Sequence, residues 1–189
     1  MKSLAIAILA LGCVVSAAPT ALTTRQDACF VVGDVELPAE VADIADSLAS
    51  VVSCGDGTTI GNVPDVISGD VTFSSIDFSQ SDQTPLAFSL SQFATSDPLA
   101  DNDLDFFQNE LNTYLATEAG VRSEGGNLAV KTPKFFLEFQ VARILTAQGN
   151  PPTDPSSTVE HKLEKVLKLT TNEDQALIDE LNNLAVTLA

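Results

Sequence analysis

The sequence predicts an α+β domain: an N-terminal antiparallel sheet with one helix, covered by a C-terminal layer of about four helices. Three observations carry this. Apolar residues over 57–95 recur at a spacing of two, the period of a strand with one buried face. After Pro98 the spacing changes to three and four, the period of a helix buried along one stripe. No internal repeat stands out, and no domain boundary is clear. The roughly 165 residues that follow an N-terminal leader suffice for one domain, burying about 70% of the unfolded surface.

The leader is residues 1–18. Lys2 supplies a short basic start, residues 4–15 are apolar, and Ser16, Ala17 and Ala18 offer small-residue cleavage sites. Residues 18–25 form a candidate pro-segment ending at Arg25, and 26–189 is expected to be a single secreted α+β domain. The apolar run is shorter than the roughly 20 residues of a membrane span, and no later segment is long and uncharged enough. The expected localisation is therefore extracellular, without a membrane span.

The elements follow in chain order. Cys29, Phe30, Val31, Val32 and Gly33 make a strand candidate. Pro38 opens a helix with Val41, Ile44, Leu48 and Val51 on one face, ending at Cys54 and Gly55, where glycine can take a left-handed cap. Cys13 leaves with the leader, so Cys29 and Cys54 remain, in a compartment where disulfides persist. A bridge between them is expected to contribute about 3 to 3.5 kcal/mol by restricting the unfolded chain. It would tie the helix end to the first strand. Val71, Phe73, Ile76 and Phe78, then Leu86, Phe88 and Leu90, alternate with small and polar residues and predict antiparallel strands around a loop at 79–85.

The helical layer begins with Leu104, Phe107, Leu111 and Leu115, capped by Asn102 and ending near Gly120. Thr132 and Pro133 predict the start of a helix that Gly149 closes. Its apolar residues leave no clean polar face, so it is expected at the centre of the core. Ser157 and Glu160 fit a capping box for the next helix. Leu177, Leu181, Leu184 and Leu188 mark the last one, packed antiparallel on its predecessor.

Charge constrains function more than any motif does. The chain has 26 Asp and Glu against 9 Lys and Arg, a formal net charge of −17, and about −19 once Lys2 and Arg25 are removed. Residues 26–121 hold seventeen of the acids and no Lys, Arg or His. Such a chain repels phosphate backbones, which excludes nucleic acid as a partner and favours a basic protein or cell-wall component. Relief of repulsion on acidification should raise the melting temperature towards about pH 5. The cations after residue 121 must tie the two halves of the chain if ion pairing ties them at all. Arg143, Arg122 and Lys131 are the candidates for that tie, and Lys134 with Glu138 forms an i,i+4 pair.

Catalytic signals are sparse. Glu138, in the most apolar helix, is the one carboxylate singled out for general acid work. Asp101, Asp103 and Asp105 alternate as in a calcium loop, but Phe106 and Asn112 stand where that loop needs glycine and a bidentate glutamate, so no metal is expected. His161 is the only histidine, and a two-histidine zinc site is excluded. Gly125 and Gly126 lack the Lys and Ser or Thr of a phosphate loop, and no cofactor is expected. No N-linked glycosylation sequon is present.

Cys29 to Gly33, the run Val71, Thr72, Phe73, Ser74, Ser75, Ile76, Asp77, Phe78, and the run Lys134, Phe135, Phe136, Leu137, Glu138, Phe139, Gln140, Val141, Ala142, Arg143 resemble small secreted fungal proteins of uncharacterised function. The resemblance implies a fungal, extracellular, single-domain protein and carries no catalytic residues. The expected function is that of a non-catalytic acidic protein acting at the cell surface or towards a host or substrate. Two alternatives stand beside it: a small carboxylate-dependent hydrolase of glycosidase type, and a carrier with an apolar pocket beside the Phe135 to Leu145 helix. The hydrolase requires a cleft with two converging acids, the carrier an apolar pocket.

Overall fold

The computed structural model describes residues 28–188; the leader and pro-segment assigned to 1–25 lie outside them. Within them the helices are α1 (Ala39–Leu48), α2 (Pro85–Gln92), α3 (Leu104–Ser123), α4 (Lys131–Ala147), α5 (Val159–Leu169) and α6 (Gln175–Val186). The strands are β1 (Ser53–Thr58), β2 (Pro64–Ser68) and β3 (Val71–Thr72), in the order β1-β2-β3. A small antiparallel sheet in the N-terminal part, with helices making up the rest, is an α+β fold.

Residues 29–33 do not form a strand. They turn at Ala28, whose carbonyl accepts from Val31 N at 2.9 Å, and then run against the end of α3. There Ser123 Oγ accepts from Val32 N and Gly33 N at 3.2 and 2.9 Å, and Ser123 O accepts from Val35 N at 2.8 Å. One serine thus takes the backbone donors that a sheet ladder would have used. The approach is close enough to require glycine on α3: a Cβ at Gly120 would stand 2.5 Å from Phe30 O.

Helix α1 buries Val41, Ala45 and Leu48, but it ends at Leu48 rather than at Cys54. Val51 is exposed, and Cys54 and Gly55 lie in β1. The Cys29–Cys54 disulfide, S–S 2.09 Å, therefore fastens the N-terminal turn to the sheet edge, not to a helix end. β1 pairs antiparallel with β2 (Ser53↔Ile67, Cys54↔Val66), with an irregular register towards Thr58. β2 turns into β3 through Gly69, whose φ of +55° supplies the positive dihedral that a tight hairpin needs.

The sheet is smaller than its period-two sequence predicts. Phe73–Ile76 and Phe78–Gln80 are 3-10 turns, with Asp77 Oδ1 accepting from Ser79 N at 2.9 Å. Leu86, Phe88 and Leu90 lie on α2, not on a strand. Thr84 caps that helix by accepting from Ala87 N, and Pro85 occupies its first turn. Alternation failed there because α2 is buried on more than one face, so Leu86, Phe88, Ser89 and Leu90 are all covered.

The core lies around α3 and α4. Tyr114 of α3 is fully buried, edge-on to Phe73 at 5.0 Å and Phe93 at 5.7 Å, with its hydroxyl donating to Ile76 O at 2.6 Å. Helix starts differ in detail from the sequence reading. Asp103, rather than Asn102, caps α3 by accepting from Phe106 N, while Asn102 holds the preceding loop through Ser96 and Leu99. α4 begins at Lys131 as a continuation of a 3-10 turn at Leu128–Val130, which places Thr132 and Pro133 inside its first turn. Thr158 caps α5 by accepting from His161 N, so the box of Ser157 and Glu160 is not what starts it. Leu181 of α6 is fully buried, with Leu177, Leu184 and Leu188 packed against the core.

Arg143 corrects another expectation. It is 2% exposed and meets carbonyls rather than a carboxylate: Nε donates to Leu184 O at 2.8 Å and Nη2 to Thr187 O at 3.0 Å. Nη1 donates to Gln140 Oε1, and Gln140 Nε2 in turn donates to Phe93 O at 2.7 Å. Burial pushes the guanidinium down to about 10, and the charge of Asp97 pulls it back up. The cation caps the C-terminal end of α6, where the helix dipole favours positive charge. It is a strut joining α4 to α6 and to the end of α2.

A candidate apolar groove and its chain of charges

The spacing of α4 that leaves no clean polar face contributes one wall of an apolar groove. Glu138, Val141, Ala142 and Leu145 recur at three, one and three, forming one stripe along α4. Leu111 and Leu115, one turn apart on α3, form the opposite wall. Ile44 of α1, Pro152, Ser157 and Lys162 complete the lining. The groove holds about 310 Å³, at the small end of the range for small-molecule sites, and is open on one side. Its surface is mostly apolar, with Glu138, Lys162 and Ser157 as the polar lining residues.

Those two residues end a chain of charges crossing three helices. Arg122 Nε contacts Glu118 Oε1 at 2.9 Å within α3. Lys134 Nζ of α4 contacts Glu118 Oε2 at 2.9 Å and Glu138 Oε1 at 3.8 Å. Lys162 of α5 donates to Glu138 Oε2. Signs alternate along the whole series: Arg122, Glu118, Lys134, Glu138, Lys162. Lys134 also stands 3.7 Å from the centre of the Phe135 ring. Burial alone would raise the Glu118 carboxyl, but the charges and hydrogen bonds of Lys134 and Arg122 outweigh it and hold it below its usual value.

This geometry assigns the candidate residues. Glu138 is held between two lysines as a structural ion pair, not presented to a cleft beside a second acid. Lys134 links the cation-free segment to the rest through Glu118, while Arg122 pairs with the same carboxylate from its own helix. Lys131 lies 6.0 Å from the Phe135 ring. Asp103 serves as a helix cap, Asp105 lies in the first turn of α3 and Asp101 in a 3-10 turn. Among the described residues no group of three or more His, Cys, Asp or Glu is placed to hold a metal ion. No helix among them is long and apolar enough to cross a membrane.

Three residues escaped the sequence reading. Lys162 reaches Glu138 across 24 residues of chain, beyond any helical spacing. Glu118 was legible in principle, four residues before Arg122. Glu110 was not: it is 2% exposed, its Oε2 makes no hydrogen bond, and burial raises its carboxyl to about 8. Polar residues surround it in sequence, so nothing there marks it as enclosed. The same α3 face carries Thr117, whose Oγ1 is also buried without a partner.

The molecule is thus an α+β domain whose helical layer holds a small apolar groove with an ion pair at its rim. Residues 31–189 match the family described as Domain of unknown function (DUF7143), and the chain belongs to that family. No curated protein and no solved structure matches the chain.

Proposed function

We propose that the protein is a secreted, non-catalytic acidic protein of fungal origin that binds a small, largely apolar molecule in the groove between α3, α4 and α5. The observation that carries this reading is the groove's lining. Leu115, Val141 and Leu145 stay only partly covered above a buried Leu111, whereas neighbouring apolar positions such as Leu137 and Ile144 are fully enclosed. Apolar surface kept at an opening is surface that a ligand can cover, at about 25 cal/mol per Å². The hydrolase alternative lacks support at this site, because the groove presents one carboxylate and two lysines hold it. The signal-like leader and the Cys29–Cys54 bridge support export. High negative charge keeps the molecule dispersed while the groove does the binding.

The test is displacement of an environment-sensitive apolar dye from the mature protein, repeated with Val141→Phe, which fills the groove from its own wall. Binding at micromolar dye that Val141→Phe abolishes, with unchanged circular dichroism, supports the reading. Dye binding that Val141→Phe leaves intact contradicts it.

A further inference from the structure

The groove's charged end states what kind of apolar molecule fits. The alternating series of Arg122, Glu118, Lys134, Glu138 and Lys162 contains three cations and two carboxylates, and it terminates at the groove on a cation. An ammonium has three donors, and the bond to Glu138 uses one of them. Lys162 is largely covered, its side chain 19% exposed, so a charge placed against it is less screened than at an open surface. The competing anion is Asp154, close enough for its charge to be felt at Lys162. That carboxylate is fully exposed and already accepts from Ser156 N at 2.9 Å. Asp154 makes no hydrogen bond to Lys162, so an anion lying in the groove can take the donors of Lys162 that Glu138 leaves.

Resting on the groove as a ligand site, we infer that it selects an amphipathic monoanion: a short alkyl or aryl body along Leu111, Leu115, Val141 and Leu145, with a carboxylate on Lys162. The open groove of about 310 Å³ has room for a short body without fixing its length, and an eight-carbon chain serves as the probe. The discrimination has to be local, because a chain with net charge −17 repels anions at a distance. A positively charged head of the same length would meet Lys162 as a like charge. A neutral head would leave the ammonium without the sixth member of the series.

The experiment titrates the mature protein at pH 7 with octanoate, octanol and octylamine by calorimetry, and repeats each with Lys162→Met and Lys162→Arg. Octanoate is expected to bind about tenfold tighter than octanol, with octylamine weakest. Lys162→Met should bring octanoate to the level of octanol while leaving octanol unchanged, and Lys162→Arg should restore the preference. Equal affinity for octanoate and octanol, a preference for octylamine, or an equal loss of both ligands in Lys162→Met overturns the head-group assignment while the groove stands. Absence of binding by all three overturns the groove reading itself, and this inference with it.

Discussion

Replacing Glu110 by glutamine should flatten the dependence of stability on pH. The carboxyl is enclosed by the core, and burial raises it from 4.5 to about 8. A carboxyl whose folded value is raised contributes fully below the unfolded value and loses that contribution as pH rises towards the folded one. Between 4.5 and about 8 the unfolded chain ionises Glu110 while the folded chain keeps it neutral, which costs on the order of 5 kcal/mol in total at about 1.4 kcal/mol per pKa unit. From pH 5 to 7.5 the share is about 3 kcal/mol. For a domain of this size that corresponds to a fall in melting temperature of about 6 to 12 °C. Glu118 acts in the opposite sense. Its value is lowered, so its contribution is present above 4.5 and is lost as pH falls through its folded value. Together they place maximum stability near pH 4.5 to 5. Calorimetric melts of the wild type and Glu110→Gln from pH 4 to 8 measure both effects. The variant should lose most of the slope between pH 5 and 7.5, any remainder being general repulsion among the unmatched acids. A wild type that is flat over this interval, or a variant with the full wild-type slope, refutes the assignment to Glu110.

Two substitutions probe the struts. Arg143→Leu removes hydrogen bonds to Leu184 O, Thr187 O and Gln140 Oε1 and should cost about 3 kcal/mol or more. Because those partners are neutral, urea unfolding should show a loss that hardly changes between low and high salt; a strongly salt-dependent loss would instead mean an ion pair. Gly120→Ala puts a methyl 2.5 Å from Phe30 O and should lower the urea midpoint by the equivalent of about 2 kcal/mol, separating residues 28–35 from α3. A neutral outcome would show that this segment is not pressed on the helix.

The helices were legible where one face is buried and the caps are conventional. Leu177, Leu181 and Leu184 placed α6, and Gly149, at φ +80°, closes α4 as its position suggests. Strands were harder for reasons that the structure makes physical. β1 reads Ser, Cys, Gly, Asp, Gly, Thr, an edge with almost nothing to bury, so no alternation marks it. Leu86, Phe88 and Leu90 alternate yet are helical, since burial on several faces of α2 removes the contrast on which period depends. Thr84 and Pro85 were the better signal. The disulfide pair followed from counting, but the element it joins did not, because Cys54 lies past the end of α1. The Lys134 and Glu138 pair was visible as a one-turn spacing. Its extension to Glu118 and Lys162 depends on how α3, α4 and α5 pack, and so does the groove. Periodicity says which residues are apolar, not which of them remain at an opening.

The most direct test of the groove as the binding site is methyl-selective NMR of the protein titrated with octanoate. The expected result is saturable shifts concentrated on the methyl groups of Leu111, Leu115, Val141 and Leu145, with buried methyl groups that do not line the groove, such as those of Leu181 and Val66, unmoved. Shifts scattered over the surface, or centred on residues outside those walls, would contradict it.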